Sequence, residues 1–325
     1  MKAMLLSAGR GLRFRPVTER LPKPLIPFLN VPLIDAHIAG LAAVGVTEIG
    51  VNLHHLGDQI EGHLRDRAAD LPKLRFFREP VILGTAGALA NAAGFLSDAD
   101  FLVVNSDAAV FPDYAVLVAR HRESGRAATL LVVENRDPDR YTPLQAEGDR
   151  ITGFGGDTRR PLMFTGVSVQ SPRLLSRIPP GERALVADLW DPLLEERREE
   201  IGWVLHEGPF ADLGRPRDLL RASLEALERG GPFPSGAGVF DAEPRVLALD
   251  PSGELAAESS VLGRTRIAAE ARIRRSVVWS DTAIGAGAQI TGCVLAGGVV
   301  REGARHENVL LWAEKNSAST AYPMS

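Results

Sequence analysis

The chain has 325 residues, enough for roughly two domains, and its 45% hydrophobic and 24% charged residues are ordinary for a globular protein. With 37 Lys and Arg against 41 Asp and Glu, the formal net charge of -4 excludes a general attraction to nucleic acid or to an anionic membrane. The single cysteine, Cys293, excludes an internal disulfide and a zinc site built from cysteines alone.

Strand-like and helix-like segments alternate over roughly the first 230 residues. The predicted strands are residues 3–7, 48–53, 74–77, 101–104 and 127–133. The predicted helices are residues 32–44, 58–69, 86–96, 114–124 and 216–228. This alternation predicts an α/β domain with a Rossmann-like, mixed but mostly parallel sheet flanked by helices, which binds ligands at the carboxyl ends of its strands.

The C-terminal part of the chain has a different pattern. Gly- and Pro-rich residues 230–236 are typical of a linker, and short apolar pairs then recur at gaps close to six residues, as at Val261, Ile267 and Ile273. This period predicts a short left-handed β-helix of hexapeptide repeats, and the alternative is a small irregular β-domain. The expected divisions are an α/β domain at 1–229, a linker and lead-in at 230–259, the β-helix at 260–312 and a tail at 313–325.

Two segments near the N-terminus carry candidate phosphate-binding residues. Leu6 lies near the end of the first predicted strand, and Ala8, Gly9 and Gly11 follow in a glycine-rich loop that ends at Arg13. Such glycines let backbone N–H groups approach phosphate oxygens. The loop is neither a Walker A motif nor a dinucleotide fingerprint, so a tight turn with a solvated arginine explains it equally well.

Lys23 lies between two prolines, in a stiff segment that suits a fixed point charge on a phosphate. The alternative for this residue is a solvated lysine in a proline-rich connection.

The order of these motifs resembles the signature of the nucleoside-diphosphate-sugar pyrophosphorylases, the sugar-1-phosphate nucleotidylyltransferases. Ala-Gly-x-Gly-x-Arg is followed after about ten residues by Pro-Lys-Pro-Leu, as in that family. Further segments match in the family's order: Glu79 with 83–87 (LGTAG), Asn105-Ser106-Asp107, the glycine turn at Thr165-Gly166, and 212–216 (DLGRP). The predicted β-helix is similar to that of mannose-1-phosphate guanylyltransferases.

The resemblance implies a role for each candidate residue. Arg13 and Lys23 would be catalytic, and Asp107 and Asp212 would bind Mg²⁺. The nucleotide would contact Leu6, Ala8, Gly9, Gly11, Glu79, Gly84 and Thr85. The sugar phosphate would contact Asn105, Thr165 and Gly166. Without the resemblance, each aspartate is as well explained as a turn or helix-cap residue, and Glu79 as a solvated charge.

Two departures from the family pattern bear on the substrate. Leu12 stands where most members have a polar residue, and Gly155-Gly156-Asp157 stands where many have a lysine that contacts the sugar phosphate. Arg159 or Arg160 is the alternative cation there, although Arg does not simply replace Lys. This shorter loop is more similar to N-acetylmuramate-1-phosphate uridylyltransferases.

The expected reaction joins an NTP and a sugar 1-phosphate, and the sequence favours GTP with a mannose- or heptose-type 1-phosphate. The alternatives are a UTP-dependent enzyme, a non-catalytic nucleotide-sugar-binding regulator and a hexapeptide-repeat acyltransferase, for which His306 is the only histidine in the repeat region. No nucleic-acid or membrane partner is expected. The short apolar start predicts a cytoplasmic protein, and exposed β-helix coils would allow a homo-oligomer.

Overall fold

A computed structural model describes residues 1–67, 71–156, 161–196, 201–229, 246–247, 260–314 and 316–324. The chain divides into two compact units. Unit 1 comprises Met1–Gly9 and Ala36–Phe210, and unit 2 comprises Arg10–Asp35 and Ala211–Ser325. The segment with Arg13 and Lys23 therefore belongs to the same unit as the C-terminal repeats.

The described strands and helices are as follows, in chain order. The strands that precede the repeats are β1 (Lys2–Leu6), β2 (Pro27–Phe28), β3 (Val31–Pro32), β4 (Glu48–Leu53), β5 (Lys73–Arg78), β6 (Phe101–Asn105), β7 (Ala108–Val110), β8 (Ala128–Glu134), β9 (Leu144–Glu147), β10 (Arg150–Phe154), β11 (Leu162–Gln170), β12 (Ile201–Leu205) and β13 (Phe210–Asp212). The helices are α1 (Leu33–Ala43), α2 (Gly57–Arg65), α3 (Gly84–Asn91), α4 (Ala93–Leu96), α5 (Tyr114–Ser124), α6 (Asp191–Glu196) and α7 (Pro216–Glu228).

Most predicted elements of the α/β part are present, with one helix divided in two. The segment predicted as one helix at 86–96 forms α3 and α4, because Ala92 leaves the helical conformation at ψ 10°. Helix α5 has the predicted bounds, since the Asp113 side chain accepts hydrogen bonds from Ala115 N and Val116 N at its start. It ends at Gly125, whose φ of 63° suits glycine.

Unit 1 is built around a mixed sheet, which among the described residues has nine strands in the order β5-β4-β1-β6-β11-β8-β12-β10-β9. Strands β5, β4, β1 and β6 pair in parallel, as the alternation predicts. Strand β11 runs antiparallel to both β6 and β8. The α/β class is confirmed, while the antiparallel half comes from segments between 144 and 170 for which no strand was predicted. The apolar core beneath this sheet contains Phe101 and Trp190.

The repeats of unit 2 form three parallel sheets. Their strands are β14 (Val246–Leu247), β15 (Val261–Leu262), β16 (Arg266–Ile267), β17 (Arg272–Arg274), β18 (Val277–Val278), β19 (Thr282–Ile284), β20 (Gln289–Thr291), β21 (Val294–Leu295), β22 (Gly298–Val300), β23 (Arg305–Glu307), β24 (Val309–Trp312) and β25 (Thr320–Pro323). One sheet contains β15, β18, β21 and β24, the second β16, β19 and β22, and the third β17, β20 and β23.

The strand pairing in these sheets is that expected of a chain that coils into a β-helix. Ile273 pairs with Ile290 and Ile290 with His306, so each turn takes about three hexapeptides. Ile273, Ile290 and Leu295 point into one apolar core. This arrangement is compatible with the predicted β-helix, and its left-handed winding stays a prediction. Antiparallel strands β14 and β25 flank the β15–β24 sheet, so the chain itself supplies caps.

Some expectations fall outside the described residues. Most of the predicted linker at 230–259 does so, as do residues 157–160. Within the described part of the chain, no helix has both the length and the apolar character needed to cross a bilayer.

Candidate active site

The predicted site residues fall into two groups, one in each unit. In unit 1, a hydrogen-bonded pair of serines joins the carboxyl ends of β1 and β6. Ser106 Oγ donates to the Leu6 carbonyl oxygen at 2.8 Å and lies 2.9 Å from Ser7 Oγ. Because Ser106 stands between Asn105 and Asp107, these bonds fix the backbone from which both predicted ligand residues project.

Glu79 is a buried link in a network that extends along neighbouring strand ends. Ser7 N donates to Asn52 Oδ1 at 2.6 Å, Asn52 Nδ2 donates to Glu79 Oε1 at 2.8 Å, and Leu83 N donates to Glu79 Oε2 at 2.9 Å. The carboxylate therefore shapes the backbone that leads into α3. A contribution of Glu79 to nucleotide binding would act through this loop.

Gly84 and Thr85 are held against a second segment of unit 1. Gly84 has a φ of 71°, and a Cβ there would overlap the carbonyl oxygen of Arg183. Leu185 N donates to Thr85 Oγ1 at 2.8 Å, and Ala86 N donates to the Arg183 carbonyl oxygen at 2.9 Å. The glycine is thus required by close backbone packing, and the Thr85 hydroxyl already accepts a hydrogen bond within the protein.

Thr165 and Gly166 lie inside strand β11, where a turn was expected. The pairing of β11 with β8 changes register between Phe164 and Ser168, and Gly166 has a φ of 89°. This bulge produces the turn-like glycine without ending the strand. A Cβ at Gly166 would lie 2.7 Å from Asn105 Nδ2, so these two of the three predicted sugar-phosphate residues are adjacent. The Thr165 hydroxyl donates a hydrogen bond of 2.9 Å to the Leu131 carbonyl oxygen, so its proton is engaged within the sheet.

His37 supports the turn that carries Asp107. Its Nε2 lies 2.9 Å from the carbonyl oxygen of Ala108, the residue that follows Asp107. Burial lowers the pKa of His37 to about 4. The imidazole is therefore neutral near pH 7, and Nε2–H donates to Ala108. Sequence reasoning missed this residue because a histidine on the buried face of a helix has no distinguishing pattern.

Gly9 differs from the other glycines of the site. No described atom lies within 4 Å of the position that a Cβ would take at Gly9, and its φ is not positive. Neither packing nor backbone conformation explains a glycine here. The open space beside its backbone is what the approach of a phosphate would require.

In unit 2, three short helical turns shape the segment that carries the two predicted catalytic cations. These turns are Leu12–Phe14, Val17–Glu19 and Lys23–Leu25. Gly11 has a φ of 60°, and its carbonyl oxygen accepts a hydrogen bond of 2.8 Å from Thr18 Oγ1. A Cβ at Gly11 would lie 3.3 Å from Lys23 Cβ, so the loop folds back onto the lysine.

Arg13 and Lys23 converge on the carboxylate of Asp212. Arg13 Nη2 lies 3.6 Å from Asp212 Oδ2, and Lys23 Nζ lies 3.8 Å from Asp212 Oδ1. The Lys23 side chain is only 7% exposed, whereas that of Arg13 is 52% exposed. Gly214, two residues after Asp212, has no side chain and so leaves room for the Arg13 guanidinium. The predicted Arg13, Lys23 and Asp212 therefore form one charged cluster, with one buried and one half-exposed cation.

Asp107 in unit 1 and Asp212 in unit 2 each offer the carboxylate oxygens that suit Mg²⁺. Among the described residues, no group of three or more His, Cys, Asp or Glu side chains is arranged to hold a metal ion. Asp107 is partly buried, and Asp212 is 18% exposed and already lies near two cations. Mg²⁺ commonly binds one or two carboxylates and completes its shell with phosphate oxygens and water, so this chemistry fits an ion that arrives with a nucleotide.

The structure describes only some of the residues at which the sequence departs from the family pattern. Leu12 is 55% exposed beside Arg13, so its apolar side chain is presented to solvent. Arg159 and Arg160 lie outside the described residues. The adjoining turn is held by Gln145, whose Nε2 donates to the Gly155 carbonyl oxygen at 2.9 Å.

Comparisons with known proteins identify the family of the chain. The nucleotidyl transferase family is matched over residues 2–155. The chain is similar to a probable mannose-1-phosphate guanylyltransferase 1 of Oryza sativa subsp. japonica, at 32% identity over an alignment of 257 residues that covers 74% of this chain and 70% of that protein. It is also similar to the N-acetylmuramate alpha-1-phosphate uridylyltransferase of Neisseria meningitidis serogroup B, at 36% identity over an alignment of 224 residues that covers 66% of this chain and 93% of that protein.

A solved structure shares the fold. The crystal structure of HddC from Yersinia pseudotuberculosis complexed with GMP-PN aligns with a TM-score of 0.59 and 22% sequence identity. The alignment covers 69% of this chain and 98% of that chain.

Proposed function

The chain belongs to the nucleotidyl transferase family as a sugar-1-phosphate nucleotidyltransferase, and from this premise we propose how its residues divide the reaction. One oxygen of the sugar 1-phosphate attacks the α-phosphorus of the NTP. A new P–O bond forms as the bond from the α-phosphorus to the bridging oxygen breaks, and pyrophosphate leaves with the electron pair. No general base is needed, because a phosphate monoester is already largely deprotonated near neutral pH.

The observation that carries this proposal is the cluster of Arg13 and Lys23 around Asp212. Both substrates are anions, so their approach has to be offset by positive charge, and catalysis rests on positioning and neutralisation. Lys23, buried and fixed, is suited to the α-phosphate or to the attacking phosphate. Arg13, with its exposed guanidinium, is suited to the triphosphate and to the departing pyrophosphate.

The remaining residues would bind and orient the substrates. The open backbone at Gly9 and the left-handed turn at Gly11 leave room for phosphate oxygens. Asn105, fixed against Gly166, is suited to the sugar phosphate. Asp107 and Asp212 are the proposed Mg²⁺ ligands, and the ion would supply further neutralisation of the phosphates when bound.

We further propose GTP and a mannose- or heptose-type 1-phosphate as the substrates. The extent of similarity supports this, since the match to the guanylyltransferase from rice covers 74% of the chain and that to the uridylyltransferase from Neisseria covers 66%. UTP with an N-acetylmuramate-type 1-phosphate is the second candidate. It is favoured by the higher identity of 36% and the coverage of 93% of that relative.

A substrate panel tests the proposal. The full chain is incubated with Mg²⁺, each of ATP, GTP, CTP, UTP and dTTP, and mannose, heptose, glucose or N-acetylmuramate 1-phosphate, and pyrophosphate release is measured. We expect the highest kcat/KM with GTP and a mannose- or heptose-type phosphate. A preference for UTP would select the second candidate, and no release with any pair would favour a non-catalytic nucleotide-sugar-binding regulator.

The role of the charged cluster is tested by comparing a variant of Arg13 with a control variant in the same substrate panel. Arg13→Ala is expected to lower kcat/KM by about 100-fold or more, which is the scale of one lost transition-state contact. Arg20→Ala is the control, because Arg20 lies in the same segment but pairs at 3.4 Å with Glu314 on the exposed surface. Equal activity in the two variants would contradict the role given to Arg13.

A further inference from the structure

The turn that carries Arg13 is anchored by Phe14. Phe14 N donates to the Gly11 carbonyl oxygen at 2.9 Å, and Arg15 N donates to that of Leu12 at 3.4 Å. The Arg13 side chain is half exposed, whereas Phe14 is fully buried. The position of the guanidinium therefore depends on what holds the phenyl ring of the next residue.

Trp279 of the repeat region holds that ring. The two ring centroids are 6.5 Å apart and the planes differ by 15°, which is a stacked arrangement. Trp279 is itself fixed, since its backbone N donates to the Leu295 carbonyl oxygen at 2.8 Å and its own carbonyl oxygen accepts from Thr282 Oγ1 at 2.8 Å. The first bond ties the tryptophan to the next coil of the repeats, and the second ties it to a residue three positions along its own coil.

The indole nitrogen of Trp279 makes no hydrogen bond with any residue that the structure describes. A buried and unsatisfied N–H is unfavourable, so hydrogen bonding does not explain a tryptophan at this position. The flat ring that it places against Phe14 is the remaining reason. A phenylalanine at 279 would keep an aromatic contact and lose the unsatisfied group.

Asp212, the carboxylate of the cluster, is connected to the repeats through helix α7. Asp212 and Gly214 directly precede helix α7, which packs against strand β21 of the repeat region. The apolar side chains Leu219, Ala222 and Leu224 of this helix are buried. The Arg13 turn, through Phe14, and the Asp212 segment, through α7, therefore both pack against the parallel sheets of the repeats.

We propose that Trp279 is a positioning residue for nucleotidyl transfer, through which the repeat region sets the place of the Arg13 charge. This inference rests on the proposed role of Arg13. It gives the C-terminal repeats an indirect part in the chemistry, because a loss of the ring at 279 would free Phe14 and let the Arg13 turn shift. A shift of about 1 Å is enough to lower a transfer rate severely.

The test compares full-length Trp279→Ala, Trp279→Phe and, as a matched truncation elsewhere in the repeats, Trp312→Ala. Values of kcat and KM are measured with the best substrate pair, and circular dichroism and thermal unfolding report the fold. We expect Trp279→Ala to lower kcat about tenfold or more, with little change in KM for the sugar 1-phosphate. We expect Trp279→Phe and Trp312→Ala to stay within about threefold of the wild type. A folded Trp279→Ala protein with wild-type kcat would overturn the proposal, as would an equal loss in the Phe variant.

Two further measurements keep the proposal testable if Trp279→Ala does not fold. Phe14→Leu and Trp279→Leu, made singly and together, should show losses of kcat that are not additive, and additive losses would overturn it. Pyrophosphate alone should change tryptophan fluorescence in the wild type and not in Trp279→Phe, and equal changes would overturn it. Absence of turnover in the wild type would instead count against the proposed function, while the pyrophosphate titration would still test the inference.

Discussion

Gly214 faces the guanidinium of Arg13 so closely that a Cβ at Gly214 would lie 2.7 Å from Nη2 and 2.8 Å from Cζ. The φ of Gly214 is not positive, so its backbone does not itself require glycine. The contact involves the far end of a long and half-exposed side chain. An added methyl group would therefore move the arginine and leave the fold in place.

Gly214→Ala is expected to lower kcat/KM by about tenfold to 100-fold, because the displaced charge no longer meets the phosphates. The midpoint of thermal unfolding should change little. Steady-state assays and thermal unfolding on the same preparation check this. Gly62→Ala is the control, since a Cβ there has open space on the exposed face of α2, and it should keep full activity and gain about 0.5–1 kcal/mol of stability. A Gly214→Ala enzyme with wild-type kcat/KM would show that the place of Arg13 does not matter.

The two aspartates give a prediction about the metal. Asp107→Asn and Asp212→Asn each keep a side chain of nearly the same size but remove the charge that Mg²⁺ needs, so turnover should fall by at least about 100-fold. Activity is measured against Mg²⁺ concentration, with circular dichroism for the fold. The control is Asp149→Asn, at an exposed pair with Arg126. Full Mg²⁺-dependent activity in either variant would remove that aspartate from the ligand set.

Glu79 gives a prediction about stability. Truncation to alanine leaves Asn52 Nδ2 and Leu83 N without their acceptors in a buried place, which should cost about 2–4 kcal/mol of the free energy of unfolding. Glu79→Gln restores one acceptor and should cost about half as much. Denaturant unfolding measures both values, with exposed Glu134→Ala as the control. Wild-type stability together with a raised KM for the nucleotide would indicate direct contact with the substrate instead.

The sequence predicted the charged cluster of unit 2 better than the polar network of unit 1. Spacing and prolines indicate a fixed Lys23 near the Arg13 loop, and the family resemblance indicates Asp212 as a metal ligand with Asp107. All three residues were therefore candidates, but their grouping around one carboxylate was not predicted. Asn52 could not be named. It is a polar residue near the end of a mostly apolar strand, and its link to Glu79 depends on the parallel pairing of β4 with β5.

Bulges and long-range packing also lie beyond sequence reasoning. Thr165-Gly166 has the composition of a turn, and only the pairing of β11 with strands on both sides shows that the chain continues as a strand. The stacking of Phe14 on Trp279 joins residues at opposite ends of the chain. Such a contact follows from tertiary packing, for which no local pattern exists in either segment.

His37 gives a prediction about pH. Burial lowers the pKa of His37 from 6.5 to about 4, so the unfolded chain binds a proton more readily than the folded one. The stability that a neutral His37 confers is complete above pH 6.5, and it is lost by about 1.4 kcal/mol per pH unit as the pH falls from 6.5 towards 4. His37→Gln keeps an N–H donor for Ala108 and cannot titrate. Denaturant unfolding between pH 7.5 and 5 should therefore show a shallower loss of stability in the variant, and parallel curves would assign the acid sensitivity to other groups.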